Sequence, residues 1–211
     1  EAGKGDYFGP LVVAGFFMDK SIKKIIESLG TKDSKTLSDN DVERIFQHIE
    51  YNYLDNFSVR VLMPYEYNRM ISNLKKDGNT LNDLLGILHS QVILDLYHRH
   101  KGTEGIITDQ FTHQDKVHNL IKDSVSADYI QRTKAESDIA VAAASVIARA
   151  VFLRQLKIMG EEYKTVFPKG ASNQVIDWAV DFCGKHDEKS LFHVAKMHFK
   201  TTNNIMDMIW S

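Results

Sequence analysis

Blocks of hydrophobic and polar positions alternate along the first half of the chain and predict strands and helices in turn. The apolar run at residues 11–17 predicts a buried strand, and residues 57–63 alternate as a half-buried strand that ends before Pro64. Residues 105–111 predict a short strand with Asp109 at its far end, and residues 129–130 another brief strand. Apolar residues at helical spacing predict helices over residues 21–29, 39–49, 65–76 and 81–98.

The second half begins with a run that is small and apolar nearly all round. Residues 139–149, extended to 153, predict a buried helix lying close against a sheet. A helix over about 174–183 follows the basic, glycine-containing loop 168–173. The tail, residues 191–200, mixes aromatic and cationic side chains, which suits either contact with a phosphate backbone or an ordinary amphipathic surface helix. Helices that pack on short apolar strands are typical of an α/β fold.

The composition is that of an ordinary globular protein, with 43% apolar and 26% charged residues in 211. This length fits one domain with a full core. The net charge of −2 does not by itself indicate a nucleic-acid-binding protein, although basic residues can gather on one face. The single cysteine, Cys183, excludes an internal disulfide bond. We expect neither a signal peptide nor an apolar segment near the length of about 20 residues that spans a membrane.

The first ten residues group a carboxylate, a lysine between two glycines and two aromatic residues directly before the first predicted strand. Glycines on both sides of Lys4 permit positive φ angles and let a backbone approach a ligand closely. A cation beside free backbone N–H groups suits a phosphate. Gly3, Lys4 and Gly5 are therefore candidates for phosphate contact, and the alternative is a polar turn with a solvated lysine.

Three acidic positions are candidates for one shared site: Glu1, Asp109, and either Glu136 or Asp138. In α/β sheets ligands gather at strand ends such as that of Asp109, although a solvated turn is the commoner place for a single aspartate. Glu136 and Asp138 precede the buried helix, and the helix dipole alone would favour acids there.

Carboxylates that gather in one place repel one another unless a cation neutralises them. Oxygen ligands of this kind select Mg²⁺ or Mn²⁺, and two such ions about 4 Å apart support phosphodiester hydrolysis. The sequence contains no His-Glu-x-x-His motif and no paired cysteines, which argues against zinc. It also contains no Gly-x-Ser-x-Gly motif and no Walker-type phosphate loop.

Five short motifs follow one another along the chain, at residues 1–10, 32–35, 108–111, 133–137 together with 140–149, and 168–171. Together and in this order they resemble the motifs of bacterial ribonuclease HIII, and the match covers essentially the whole chain. The resemblance implies one domain over residues 1–211 with a ribonuclease H-like fold, a central mixed β-sheet flanked by α-helices. It also implies an endonuclease that cleaves the RNA strand of RNA–DNA hybrids with Mg²⁺ or Mn²⁺, leaving 3′-hydroxyl and 5′-phosphate ends.

The resemblance also implies roles for particular residues. Glu1 corresponds to the Glu of an Asp-Glu pair and Asp109 to a second Asp, both as metal ligands, while Glu136 corresponds to a further catalytic acid. Asp138 is the alternative fourth carboxylate. The implied substrate-binding residues are Gly3, Lys4, Gly5, Ser34, Lys35, Lys169 and Gly170. The first three would follow the minor groove at the RNA strand, and the others would position the sugar-phosphate backbone.

Two departures from the family pattern shape the expected activity. The Asp of the pair would stand just before Glu1, and the N-terminal substrate-binding domain of the family is not among these 211 residues. We therefore expect a catalytic piece of a longer protein, inactive or feeble until that Asp is restored. The alternatives are a hybrid-binding module that has lost catalysis and a nuclease of the same fold that acts on DNA junctions. We expect a monomer in a bacterial cytoplasm, without a membrane partner.

Overall fold

Four strands pair as two short ladders in the computed structural model, which describes residues 1–31 and 34–210. β1 (Leu11–Phe16) pairs with β2 (Phe57–Leu62), close to the predicted bounds. β3 (Gly105–Asp109) runs parallel to β4 (Asp128–Arg132), in a register that sets Asp109 opposite Arg132. Across the described ranges these ladders are separate two-stranded sheets, where the resemblance implied one central mixed sheet.

The predicted helices of the first half are all present. They are α1 (Lys20–Ser28), α2 (Asp39–Asn52), α3 (Pro64–Lys76) and α4 (Leu81–Arg99). Polar side chains satisfy the backbone N–H groups at three of the helix starts, because a helix leaves its first N–H groups without intrahelical acceptors. Asp19 accepts from two N–H groups of α1, Ser38 accepts from the third residue of α2, and Thr80 forms a capping box with Asp83 at α4.

The sequence pattern did not predict the six-residue helix α5 (Lys116–Ile121), which follows β3. A helix of this length is marginal by itself, and tertiary contacts hold it in place. The Lys116 ammonium donates to Asp83 at 2.5 Å, which lowers the pKa of that carboxyl to about 2. Val117 and Ile121 are buried with Ile93 of α4, so α5 depends on partners that are remote in sequence.

The remaining helices depart from prediction mainly in length. They are α6 (Ile139–Glu162), α7 (Asn173–His186), α8 (Leu191–Val194) and α9 (Lys200–Trp210). α6 is nine residues longer than the run 139–153, while the single helix suggested for the tail is instead the short α8 followed by the unpredicted α9.

By length and composition the 24-residue helix α6 is a candidate membrane span. The expectation that the chain has no apolar segment near the length needed to span a membrane was therefore wrong. Ala142, Ala143, Val146 and Ile147 of this helix are almost fully buried against protein, as in a core helix. An apolar composition is weak evidence for a membrane span when the apolar side chains are already buried against the rest of the protein.

The chain divides into two compact units. The first consists of Glu1 with residues 13–60 and 80–151, and the second of residues 2–12, 61–79 and 152–211. In the first unit Gly15 of β1 lets α4 pack closely, since a Cβ there would lie 2.6 Å from Val92 and 2.9 Å from Leu96. In the second unit an aromatic cluster forms the core, in which Phe8 contacts the rings of Phe167 and Trp178.

Candidate active site

Asp109 is the last residue of β3, as the strand pattern predicted, and its side chain is exposed at the strand end. One of its carboxylate oxygens, Oδ1, accepts a hydrogen bond of 3.1 Å from the backbone N–H of Ala135. Lys134, just before, has a left-handed backbone with φ of 55°, which turns the chain back after β4. The short 3₁₀ turn Ala135–Ser137 is thereby fastened to the end of β3, and this turn carries Glu136.

The structure separates the two alternative acids, Glu136 and Asp138, by their local roles. Asp138 has an extended backbone, its carbonyl accepts from Ala142 N, and its Oδ1 accepts from Ala140 N at 2.9 Å. That is the geometry of an N-cap for α6, and such caps are favoured there for stability. Glu136 lies instead within the turn that Asp109 holds, and it is partly buried.

This difference predicts that substitutions of the two acids affect different properties, catalytic activity at Glu136 and stability at Asp138. We expect Glu136→Gln to reduce the nuclease activity that the motifs imply about a hundredfold with an unchanged melting temperature, because it removes a charge and little packing. We expect Asp138→Ala to lower the free energy of unfolding by about 1 kcal/mol through loss of the cap, with turnover reduced far less. Thermal unfolding and single-turnover cleavage of both variants test this. The reverse pattern would make Asp138 the functional acid.

Glu1 contacts a histidine, His89, that the sequence pattern did not single out. Its Oε2 lies 3.6 Å from His89 Nε2 on α4, and both side chains are largely buried. The His89 ring stacks on Phe111, two residues beyond Asp109, with centroids 5.1 Å apart and an interplanar angle of 14°. Nothing in the sequence distinguished His89 among nine histidines, since its contacts come from the packing of α4.

The predicted ligands Glu1, Asp109 and Glu136 all carry carboxylate oxygens, which suit a hard divalent cation. Within residues 1–31 and 34–210, no three His, Cys, Asp or Glu side chains converge closely enough to hold a metal ion together. Glu1, Asp109 and Glu136 therefore do not form a closed ligand cage: Asp109 is bonded to the turn that carries Glu136, and Glu1 lies beside His89.

The predicted contacts at Ser34 and Lys35 lie in a 3₁₀ turn, Ser34–Thr36, and the preceding Lys32 and Asp33 of that motif lie outside the described residues. Ser34 is buried, and its hydroxyl is 2.7 Å from the hydroxyl of Ser145 on α6. Arg149, also on α6, donates to the carbonyls of Ser34 and Leu37. Ser34 thus has a supporting position, while Lys35 is exposed.

In the second unit, residues 3–10 form a turn that we call the glycine–lysine loop. Gly3 adopts a positive φ of 83°, as the sequence suggested, whereas Gly5 does not and has open space beside its Cα. Gly170 fastens this loop, since its N–H donates to Asp6 Oδ1 at 2.6 Å and its carbonyl accepts from Tyr7 N at 2.8 Å. The structure thus brings together two of the predicted substrate-binding motifs, and it commits both backbone groups of Gly170 to the protein itself.

The sequence of the tail, residues 191–200, is compatible with either a phosphate-contacting segment or an amphipathic surface helix. Several of its aromatic and cationic side chains turn inward: Lys196 is fully buried, Phe192 packs on Tyr65, and His198 contacts the Tyr67 hydroxyl. Burial lowers the pKa of His198 to about 4, with nearby lysines acting in the same direction. These groups are largely structural, because a buried cation cannot lie along a phosphate backbone.

Comparisons with known proteins agree with this architecture. The sequence profile of the family described as Ribonuclease HII matches residues 1–202. Ribonuclease HIII of Protochlamydia amoebophila is 33% identical over 210 residues, which cover 99% of this chain and 67% of that protein. Ribonuclease HIII of Chlamydia felis is 34% identical, over 98% of this chain and 68% of that protein.

A solved structure supports the same family and shows the fold. Bst-RNase HIII in complex with Mn²⁺ matches with a TM-score of 0.87 at 32% identity, over 99% of this chain and 68% of that one. The expected α/β, ribonuclease H-like fold is confirmed by this likeness, and so is the resemblance drawn from the five motifs. The chain therefore belongs to the ribonuclease HII and HIII family, and within it to the ribonucleases HIII.

Proposed function

We propose that this chain is the catalytic domain of an endonuclease that hydrolyses the RNA strand of RNA–DNA hybrids, leaving 5′-phosphate and 3′-hydroxyl ends. The observation that carries the proposal is the hydrogen bond from Ala135 N–H to the Asp109 carboxylate, which holds the Glu136 turn at the end of β3. Glu1 lies 3.6 Å from His89, whose ring stacks on Phe111, two residues beyond Asp109. These contacts support a shared role for Glu1, Asp109 and Glu136.

We assign metal binding to Glu1 and Asp109, with Glu136 as a further catalytic carboxylate. Their oxygen donors fit Mg²⁺ or Mn²⁺, and Mn²⁺ is the ion in the Bst-RNase HIII complex. Two such ions, when bound, would supply an activated water and stabilise the leaving oxygen of the phosphodiester. The protein's part is to orient the acids: Ala135 N–H fixes one oxygen of Asp109 and leaves the other available.

Recognition of the hybrid would come from the three segments that the motifs predicted, at residues 3–5, 34–35 and 169–170. Gly5 is exposed and open, so the backbone there can approach the minor groove of the RNA strand, whereas Gly3 is buried and supports the turn from within. The ribose 2′-hydroxyl is the group that distinguishes RNA from DNA at such a contact. Lys35 and Lys169 are exposed and suited to phosphates, while Ser34 and Gly170 support the loops from within.

The test is cleavage of an end-labelled RNA–DNA hybrid by the chain extended upstream through the expected Asp. We expect cutting of the RNA strand alone, dependent on Mg²⁺ or Mn²⁺ and abolished by a chelator, with 3′-hydroxyl ends that a polymerase can extend. Hybrid binding without cutting would support a binding module instead, and cutting of an all-DNA junction would support a different nuclease of this fold.

We further propose that the protein acts as a monomer in the bacterial cytoplasm. The oxygen-ligand site and the nucleic-acid substrate are compatible with that compartment, and the single cysteine requires no oxidising one. Light scattering after size-exclusion chromatography tests the monomer, since the measured mass of a dimer would be twice the 24.1 kDa of one chain.

A further inference from the structure

Lys196 is an unusual residue for its position, because it is a lysine with no exposed surface. Lysines are almost never fully buried unless their ammonium group has partners. Here the Nζ atom donates to two backbone carbonyls, those of Asp6 at 2.8 Å and Gly9 at 2.6 Å. Both carbonyls belong to the glycine–lysine loop, which precedes Lys196 by nearly the whole length of the chain.

The main chain around Lys196 binds the same loop. Lys196 N–H donates to the carbonyl of Tyr7 at 2.9 Å, and Gly9 N–H donates to the carbonyl of Val194 at 3.0 Å. An antiparallel bridge joins Phe8 to Ala195. The segment Val194–Lys196 thus forms a short backbone ladder with the loop, and the lysine side chain adds two bonds beneath it.

A lysine is the side chain that suits this position. Its ammonium has three N–H donors on a flexible stem and can reach two carbonyls that lie three residues apart. Burial lowers the pKa of Lys196 to about 7, while the negative charge of Asp6 acts in the opposite direction. The Tyr67 ring, 6.0 Å from Nζ, provides a further favourable contact for a cation.

Asp6 connects this anchor with the second predicted substrate-binding motif. Its carbonyl accepts from Lys196, while its carboxylate accepts from Gly170 N–H at 2.6 Å. Because the carbonyl of Asp6 points inward to Lys196, the N–H of the next residue, Tyr7, points away from it, and it donates to the Gly170 carbonyl at 2.8 Å. Lys196 therefore influences the conformation of the glycine–lysine loop and of the loop that contains Gly170.

We propose that Lys196 is a positioning residue that holds the glycine–lysine loop and the Gly170 loop in the conformation that contacts the hybrid. This inference rests on the proposed function for the identity of the ligand. It goes beyond that function because Lys196 itself touches no substrate: a buried amino group acts here by donating to two backbone carbonyls. The exposed groups near Gly5 are oriented by bonds formed on the inner side of the loop.

The test compares Lys196→Met with Phe182→Leu, a substitution in the core of the same unit. Phe182 is buried among the rings of Tyr163, Phe167 and Trp178 and serves as a control for lost stability. In the chain extended upstream, we expect Lys196→Met to raise KM for the hybrid about tenfold or more, with kcat at saturation changed less than about threefold. Phe182→Leu should lower the melting temperature and leave KM unchanged below the transition.

Hydrogen exchange provides a readout that does not depend on catalysis. We expect the amides of Tyr7 and Gly9 to exchange about tenfold faster or more in Lys196→Met than in Phe182→Leu at equal global stability. Unchanged exchange in the loop, or an unchanged KM, would overturn the positioning role. If the unsubstituted protein does not cut hybrids at all, the proposed function fails, and the exchange experiment still decides whether Lys196 holds the loop.

A second variant covers the case in which Lys196→Met does not fold. Lys196→Gln keeps two N–H donors on an uncharged side chain, and we expect it to fall between the unsubstituted protein and the methionine variant in both KM and loop exchange. If both variants are unfolded under conditions where Phe182→Leu is folded, Lys196 serves overall stability and the positioning role is rejected.

Discussion

Asp109→Asn is expected to abolish cleavage of the RNA–DNA hybrid, with a loss of about a thousandfold or more, equivalent to about 4 kcal/mol in the activation barrier. The physical reason is that an amide supplies a weaker, uncharged ligand where the proposed site needs a carboxylate. Folding should be unaffected, because the Asn oxygen can still accept the hydrogen bond from Ala135 N–H. Single-turnover cleavage by the chain extended upstream, measured beside hybrid binding, checks this.

The matched control is Asp128→Asn, the same chemical change at the opposite end of the same ladder. Asp128 pairs with Gly105 at the start of β3, whereas Asp109 pairs with Arg132 at its end. Both aspartates are exposed, so solvent screening affects them alike. We expect the control to cut at the normal rate. Equal cleavage by the two variants would remove Asp109 from the site. Binding without cleavage in the unsubstituted protein and in both variants would favour a hybrid-binding module.

Gly3→Ala is expected to lower the free energy of unfolding by about 3–5 kcal/mol, a large share of the stability of a domain. A Cβ at Gly3 would lie 2.0 Å from the carbonyl oxygen of Pro10 and 3.0 Å from the Phe152 ring. The backbone φ of 83° adds strain for any residue with a side chain. A backbone oxygen cannot move aside as a flexible side chain can. Urea denaturation checks this through the midpoint of unfolding.

Gly5→Ala is the control for this substitution, since the two glycines flank the same lysine. Nothing lies within 4 Å of a Cβ built at Gly5, and its φ is not positive, so the variant should fold with near-normal stability. Hybrid affinity should nevertheless fall, because the added methyl group projects from the surface that we propose meets the minor groove. Normal affinity would mean that the backbone at Gly5 does not approach the substrate closely.

Local physical chemistry was sufficient for much of the secondary structure. The apolar spacing of Val42, Ile45, Phe46 and Ile49 predicted α2, and all four side chains are buried. The alternation in residues 57–63 predicted β2 to within one residue. Helix α5 was missed because six residues carry too little periodic pattern, and its stability comes from Asp83, Ile93 and other remote partners.

The sequence by itself determined the family and the principal strands and helices, because short motifs and hydrophobic periodicity are local properties. Only the tertiary structure decided which side chains meet. It brought His89 beside Glu1, tied the Glu136 turn to Asp109, gave Asp138 a capping position and set Lys196 beneath the glycine–lysine loop. The physical reason is that these contacts join residues that are distant in the chain, and their geometry follows from the packing of whole elements.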